Sequence, residues 1–344
     1  MPVEPSSVPD FDDLPKVEGM PQGCAWGVFD HDGKKDLVGT LNFLTPAVMK
    51  AAASEVKDGI SISLNWPLNA MSKLGIPGRK DVKHNVLYLP DSMEGMPNLA
   101  SAWDDELEFN TQGSSQWDSL CHVQHQPSGL SYNGFKPDKQ SLTVESTAGN
   151  EMPTLDHWHA HGGIAGRGVL LDYKAYAEET GIQFHPMGGN RIKVDELEAC
   201  AKHFGVEFRP GDVLIVRTGA TEVLENCTAE DFQKQAGAVM SGLHGCEDTA
   251  RWLWNKRFAA AASDSVALEA YPPLRPDGTL GGLDSFVLHY YMLSLFGMSI
   301  GELWDLSKLS QYCKKTNRYS FMITSIPLHH PGLVGSPPNA LAIF

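Results

Sequence analysis

The sequence predicts a single α/β domain built around a mixed β-sheet. Two observations predict it. Short apolar runs of strand length alternate with helical patterns, but not in the regular strand–helix order of a doubly wound fold. No clean linker divides the 344 residues, and no repeat period or low-complexity tract is visible. The expected organisation is an N-terminal arm over residues 1–20, followed by one domain over 21–344.

The elements follow in chain order. Residues 1 to about 20 are acidic and proline-rich and read as an extended arm. Thr45-Pro46 opens a helix, threonine at the cap and proline at the first turn, and Asp58-Gly59 ends it. ISISLNWPL (60–68) alternates like a strand, and VLYLP (86–90) reads as a short one. GVLLDY (168–173) and GDVLIVRTG (211–219) are apolar enough to be buried strands. VDELEACAKHFG (194–205) places Val194, Leu197, Cys200 and Ala201 on one helical face, with Gly205 as its stop. Residues 228–256 read as helix with a break near Ser241-Gly242. FAAAASDS (258–265) is a strand delivering Asp264 at its end, and residues 288–314 read as helix, turn, helix. SFMITSIPL (320–328) closes as a strand.

Composition narrows the function. Apolar residues make up 42% and charged residues 20%, as in an ordinary folded domain. A net charge of −15 argues against nucleic-acid phosphates and anionic membrane surfaces as partners. The six cysteines form no CxxC pair and fit a reducing compartment. No signal-peptide pattern and no 18-residue apolar run is present, so a cytoplasmic protein is expected.

The chemistry concentrates in NTQGSSQWDSLCHVQH (110–125). In extended backbone the even positions share a face: Gln112, Ser114, Gln116, Asp118, Leu120 and His122. That face is polar and carries a carboxylate and an imidazole, while Trp117, Ser119 and Cys121 face the other way. The preceding Gly113-Ser114-Ser115 favours a strand or extended loop over a helix, with a turn after Asp118. Cys121, next to His122, points away from it on a strand and is a poor nucleophile. Trp66 and Trp117 are candidate aromatic walls for a substrate. His157, His159 and His161 alternate suggestively, but the flanking glycines indicate a loop. GGIAGRG (162–168) precedes a strand instead of opening a helix, so no nucleotide cofactor is expected.

The segment Gln112-Gly113-Ser114-Ser115-Gln116-Trp117-Asp118-Ser119-Leu120-Cys121-His122 resembles the signature of the cyclase family that includes bacterial kynurenine formamidase and isatin hydrolase. LVGTLNFLTPAV (37–48), RPGDVLIVRTG (209–219), AAASDSVALEAYPP (260–273), HYYMLSLFGMSIGELWDL (289–306) and GSPPNALAIF (335–344) resemble further segments of its longer members. The resemblance implies a swivelling β/β/α fold, a homodimer or homotetramer, and hydrolysis of a cyclic amide, formamide or lactone. It also implies a divalent metal held by signature and later residues, and a general acid/base at the last signature histidine. Carried over, Asp118 and His122 keep their roles, and His289 and Glu302 are the later ligand pair. Two signature histidines are here Gln112 and Gln116, and the signature proline is Leu120. An amide oxygen is a poor substitute for imidazole towards zinc and suits harder ions. Manganese or magnesium is therefore a better fit than zinc, and a metal-free pocket stays equally open. Two readings follow. One is a hydrolase in which His122 works with Asp118 and the glutamines steady an oxyanion. The other is a metal-free cyclase, dehydratase or isomerase using His122 and Asp118.

Overall fold

The computed structural model describes residues 3–75, 78–93, 95–96, 98–235 and 239–344. Its strands are β1 (Ser61–Ser63), β2 (Lys83–Tyr88), β3 (Trp103–Glu108), β4 (Gln116–Asp118), β5 (Ile164–Asp172), β6 (Arg191–Ile192), β7 (Val213–Arg217), β8 (Gly242–Leu243), β9 (Ala260–Ser263), β10 (Ile300–Glu302), β11 (Ser320–Ser325), β12 (Gly335–Ser336) and β13 (Leu341–Ile343). Its helices are α1 (Pro46–Ala52), α2 (Leu89–Ser92), α3 (His157–His161), α4 (Tyr173–Thr180), α5 (Val194–His203), α6 (Ala220–Asn226), α7 (Ala229–Gln235), α8 (Glu247–Asn255), α9 (Val287–His289) and α10 (Ser307–Thr316). A π-helical stretch, Tyr290–Phe296, continues α9.

Nine strands form one curled mixed sheet in the order β1-β13-β11-β5-β7-β9-β10-β4-β12. The central strands β5, β7, β9 and β10 run parallel, and every pairing outside them is antiparallel. The parallel strands are buried on both faces, which is why their sequences read as unbroken apolar runs. Val169, Leu171, Leu214, Val216 and Ala261 face one core, with α4, α5, α8 and the π-helical stretch packed over them. Leu170, Val213, Ile215, Ala260 and Ala262 face the other, filled by Trp117, Trp158, Trp304 and Phe321.

Local chemistry sets the ends of the elements. Thr45 caps α1, its hydroxyl accepting from Val48 N at 3.2 Å. Asp172 ends β5 and caps α4 by accepting from Ala175 N at 3.1 Å. Asp264, just after β9, accepts from Thr218 N, Thr218 Oγ1 and Gly219 N at 2.7, 2.8 and 2.6 Å, tying the exits of two parallel strands together.

Several expectations are corrected. Residues 3–20 are no extended arm: Phe11 is buried against Tyr291 and Phe296, and Arg257 donates to Val8 O and Asp10 at 2.7 Å each. The stretch expected as helix over 228–256 is α7, then β8 in a small parallel ribbon with β6, then α8. Residues 236–238 lie outside the described residues. The region expected as helix, turn, helix contains strand β10 between the π-helical stretch and α10. DHWHAH forms one turn of helix, α3, instead of a loop.

Strand β10 inserts between β9 and β4 only because Gly301 has no side chain. A Cβ there would lie 2.6 Å from Ala262 Cβ and 2.9 Å from Trp304 Nε1. Gly301→Ala should therefore cost about 1–3 kcal/mol of stability, read as a lower denaturation midpoint at unchanged slope. An unchanged midpoint would show that this edge of the sheet is not closely packed.

Candidate active site

The site sits where β4 and β10 pair. The antiparallel register sets Glu302 opposite Gln116 and Ile300 opposite Asp118. Gln116, Asp118 and Glu302 therefore project from one face of the sheet, at the carboxyl end of the parallel strand β10. Open α/β sheets bind ligands at that edge. Gln116 and Asp118 are fully buried, and Glu302 nearly so. His289 arrives from the last turn of α9, and its Nε2 lies 3.2 Å from Glu302 Oε1.

Each buried charge has a defined partner. Gln116 Nε2 donates to Glu302 Oε2 at 2.8 Å and to Asp118 Oδ1 at 3.2 Å, bridging two carboxylates that would otherwise repel. Gln112 Nε2 donates to the same Asp118 oxygen at 2.7 Å and lies 3.3 and 3.2 Å from the two ring nitrogens of His122. The turn after β4 carries His122 back towards Asp118, with His122 N donating to Ser119 O at 3.0 Å. On the far side, His289 Nδ1 lies 2.8 Å from Glu269 Oε1. Glu269 is itself fixed by the backbone N–H groups of Val287 and His289, at 3.0 and 2.9 Å.

These contacts set the protonation states. Burial alone would lower the His289 pKa, but hydrogen bonds to Glu269 and Glu302 outweigh it and raise it to about 10. Burial, and then the neighbouring Asp118, push Glu302 up to about 7, against the opposing pull of His289. Burial lowers the pKa of His122, with Asp118 opposing that shift, so the imidazole is neutral at pH 7. Burial pushes the Cys121 thiol up to about 12, which removes it as a nucleophile.

Asp118, His289 and Glu302 each offer a ligand atom within 4.8 Å of the others, a buried set able to coordinate a divalent cation. Asp118 Oδ2 and Gln116 Oε1 are buried acceptors without a protein partner among the described residues, which fits a cation there. Both glutamines present amide nitrogen to the carboxylates and act there as hydrogen-bond donors.

The structure brings together Gln112, Gln116, Asp118, His122, His289 and Glu302. Glu302 ends strand β10, inside the region expected as helix, turn, helix. The two tryptophans do not join them. Trp117 points to the opposite face, edge-on to Trp304, with its indole N–H on Ser325 Oγ at 2.8 Å. Trp66 is buried in a small cluster with Met71, Leu74 and Leu303, and its indole N–H donates to Glu225 at 2.7 Å. His157, His159 and His161 contribute to no metal-ligating group among the described residues. His159 stacks on His329 at 3.9 Å. Glu269 is the residue that sequence reasoning missed. It lies in the family-like block 260–273, but nothing local marks it as the partner of a histidine twenty positions later.

A curled α/β sheet with a buried carboxylate–imidazole cluster at the carboxyl edge of its parallel strands is the frame of an enzyme of the cyclase and hydrolase type. The sequence matches the profile described as putative cyclase over residues 44–270, and the chain belongs to that family. A solved structure described as a novel cyclase is 27% identical, with a TM-score of 0.75, covering 93% of this chain and 99% of that one. Isatin hydrolase A from Ralstonia solanacearum shares the fold at 14% identity and a TM-score of 0.54, covering 87% and 97%. So does an isatin hydrolase bound to the product analogue thioisatinate, at 15% identity and a TM-score of 0.54, covering 87% and 96%. A comparison with curated proteins found no match.

The His289 cluster gives stability a pH dependence whose sign can be worked out. His289 titrates near 6.5 when unfolded and near 10 when folded, so its contribution is complete below 6.5 and lost as pH rises through 10. Glu302, raised from 4.5 to about 7, acts in the same direction, its contribution fading as pH rises through 7. Chelator-treated protein should melt at a lower temperature at pH 10 than at pH 6, and Glu269→Gln should narrow the gap. Equal gaps in the two proteins would refute the pairing of Glu269 with a protonated His289.

Proposed function

We propose that the chain is a hydrolase that opens a cyclic amide, formamide or lactone bond of a small metabolite, with His122 as general acid/base. One observation carries the reading: a neutral, partly exposed His122 lies with Gln112 at the open end of a cluster whose other members are buried and fixed. A ring nitrogen of His122 takes the proton of the attacking water as oxygen adds to the carbonyl carbon. The same proton passes to the leaving nitrogen or oxygen as the C–N or C–O bond breaks. Asp118, anchored by two amide nitrogens, stabilises the imidazolium formed in between. Asp118, His289 and Glu302 would hold a divalent ion, which when bound supplies Lewis acidity at the carbonyl. Glu269 orients His289 as such a ligand, the carboxylate–histidine arrangement common around metals. Gln112, at the less buried side, is the glutamine placed to contact substrate.

The test is turnover of a panel of cyclic imides, formyl anilides and lactones by protein purified without chelators. On any substrate found, His122→Ala should lower kcat/KM by roughly 10²–10⁴-fold. Unimpaired turnover by that variant would end the assignment.

A second reading is a metal-free cyclase, dehydratase or isomerase using the same pair. It is favoured by the glutamine nitrogens, which hold Asp118 and Glu302 together without an ion. Stoichiometric metal that is lost in Asp118→Ala would rule it out.

We also propose that the active form is a homodimer or homotetramer. In the β2–β3 ribbon, Val86, Tyr88, Trp103 and Leu107 share one face, and Trp103 is 67% exposed. A lone two-stranded ribbon is marginally stable in water, so a second copy covering this face would stabilise it. Trp103→Glu combined with Leu107→Glu should lower the mass measured by light scattering. An unchanged oligomer would place the interface elsewhere.

A further inference from the structure

One cation at this site is not used by the mechanism above. Arg79 donates through Nη1 to the backbone carbonyl of Gln112, whose side chain touches Asp118 and His122. A guanidinium carries five N–H donors. Among the described residues Arg79 makes no ion pair with a carboxylate and no other hydrogen bond. In this it differs from Arg167, Arg217, Arg251, Arg257 and Arg318, each paired with an acid. Arg79 lines a small recess with Leu68, Met71, Asp81, Asn110 and Gly113. Lys80, which also borders the recess, is already paired with Glu108. The positive charge of Arg79 reaches both His122 and Glu302.

We infer that Arg79 is a specificity residue that binds a carboxylate carried by the substrate, remote from the bond to be broken. This rests on the hydrolase reading only for where the scissile bond lies. The chemistry favours an anion. Asp118, Glu269 and Glu302 make the interior acidic, so an anionic metabolite would be repelled unless a cation stood at the entrance. A guanidinium whose fork is mostly unengaged matches a carboxylate's two oxygens. Arg79 and His122 contact opposite ends of Gln112, so the preferred substrate has its carboxylate and its cyclic or formyl carbonyl at separate positions on one compact scaffold.

The test uses benzoate and its neutral counterpart benzamide as probes, titrated calorimetrically into the full-length protein. Benzoate should bind wild type. Arg79→Met should weaken it roughly tenfold or more and Arg79→Lys by less, while benzamide binding changes little. Melting curves confirm that each variant is folded, and Arg79→Gln replaces Arg79→Met if the latter is not. Benzoate affinity that survives loss of the guanidinium, an equal loss for benzamide, or no benzoate binding to wild type would each overturn the inference. So would benzoate binding that disappears in Asp118→Asn but persists in Arg79→Met, because the anion would then sit on the buried cluster. Turnover of the hydrolase panel is read separately, so failure of the proposed reaction and failure of the carboxylate site give different results.

Discussion

The bridge from Gln116 to two carboxylates is the interaction on which the site depends. Asp118 and Glu302 are buried side by side on neighbouring strands, and like charges in a poorly solvated interior repel strongly. The β4–β10 register forces them together, and the amide of Gln116 supplies an N–H group to each. The pattern then extends in both directions, each acid meeting a donor. Glu269, His289, Glu302, Gln116, Asp118, Gln112 and His122 form one continuous chain of contacts, anchored at the Glu269 end by backbone N–H groups. Its last two members, Gln112 and His122, are partly open to solvent, while the buried members fix one another.

The sheet behind this chain is built from small residues for the same purpose. β9 is alanine over Ala260–Ala262, and Gly301 of β10 lies against Ala262 and Trp304. Larger side chains would push β10 away from β9 and break the register that sets Glu302 opposite Gln116. Trp117, Trp158 and Trp304 fill the space the small residues leave on the far face. Packing on one side of the sheet and polar chemistry on the other are two consequences of one alternation along β4.

That alternation was legible in the sequence, and so was much of the site. Parity alone put Gln116 and Asp118 on one face and Trp117 on the other, and reading Trp117 as a substrate wall went against that alternation, which sends its indole into the core. The apolar runs of β5, β7 and β9 were long enough to read as buried strands. Ile300–Glu302 was not, because three residues between two helical stretches carry no periodicity of their own. Its strand character comes from pairing with β4 and β9, a tertiary effect. Glu269 was hidden for a similar reason: its role exists only once α9 folds back over the loop after β9. Gln112 and His122 reach the cluster through turns, since the regular strand covers only Gln116–Asp118.

The amides of Gln112 and Gln116 decide what holds the cluster together. A primary amide carries a donor and an acceptor on one planar group, and half a turn exchanges them. With nitrogen towards Asp118 and Glu302, as here, two glutamines balance the acids with neutral N–H groups, and His289 supplies a proton between Glu269 and Glu302. With oxygen towards them, the carboxylates would face further acceptors, and only a cation could make that arrangement stable. A cation would also have to displace the proton that Glu269 and Glu302 keep on His289, so its affinity must fall with falling pH. Amide orientation, the His289 proton and ion occupancy are therefore a single linked equilibrium, set by Gln112 and Gln116.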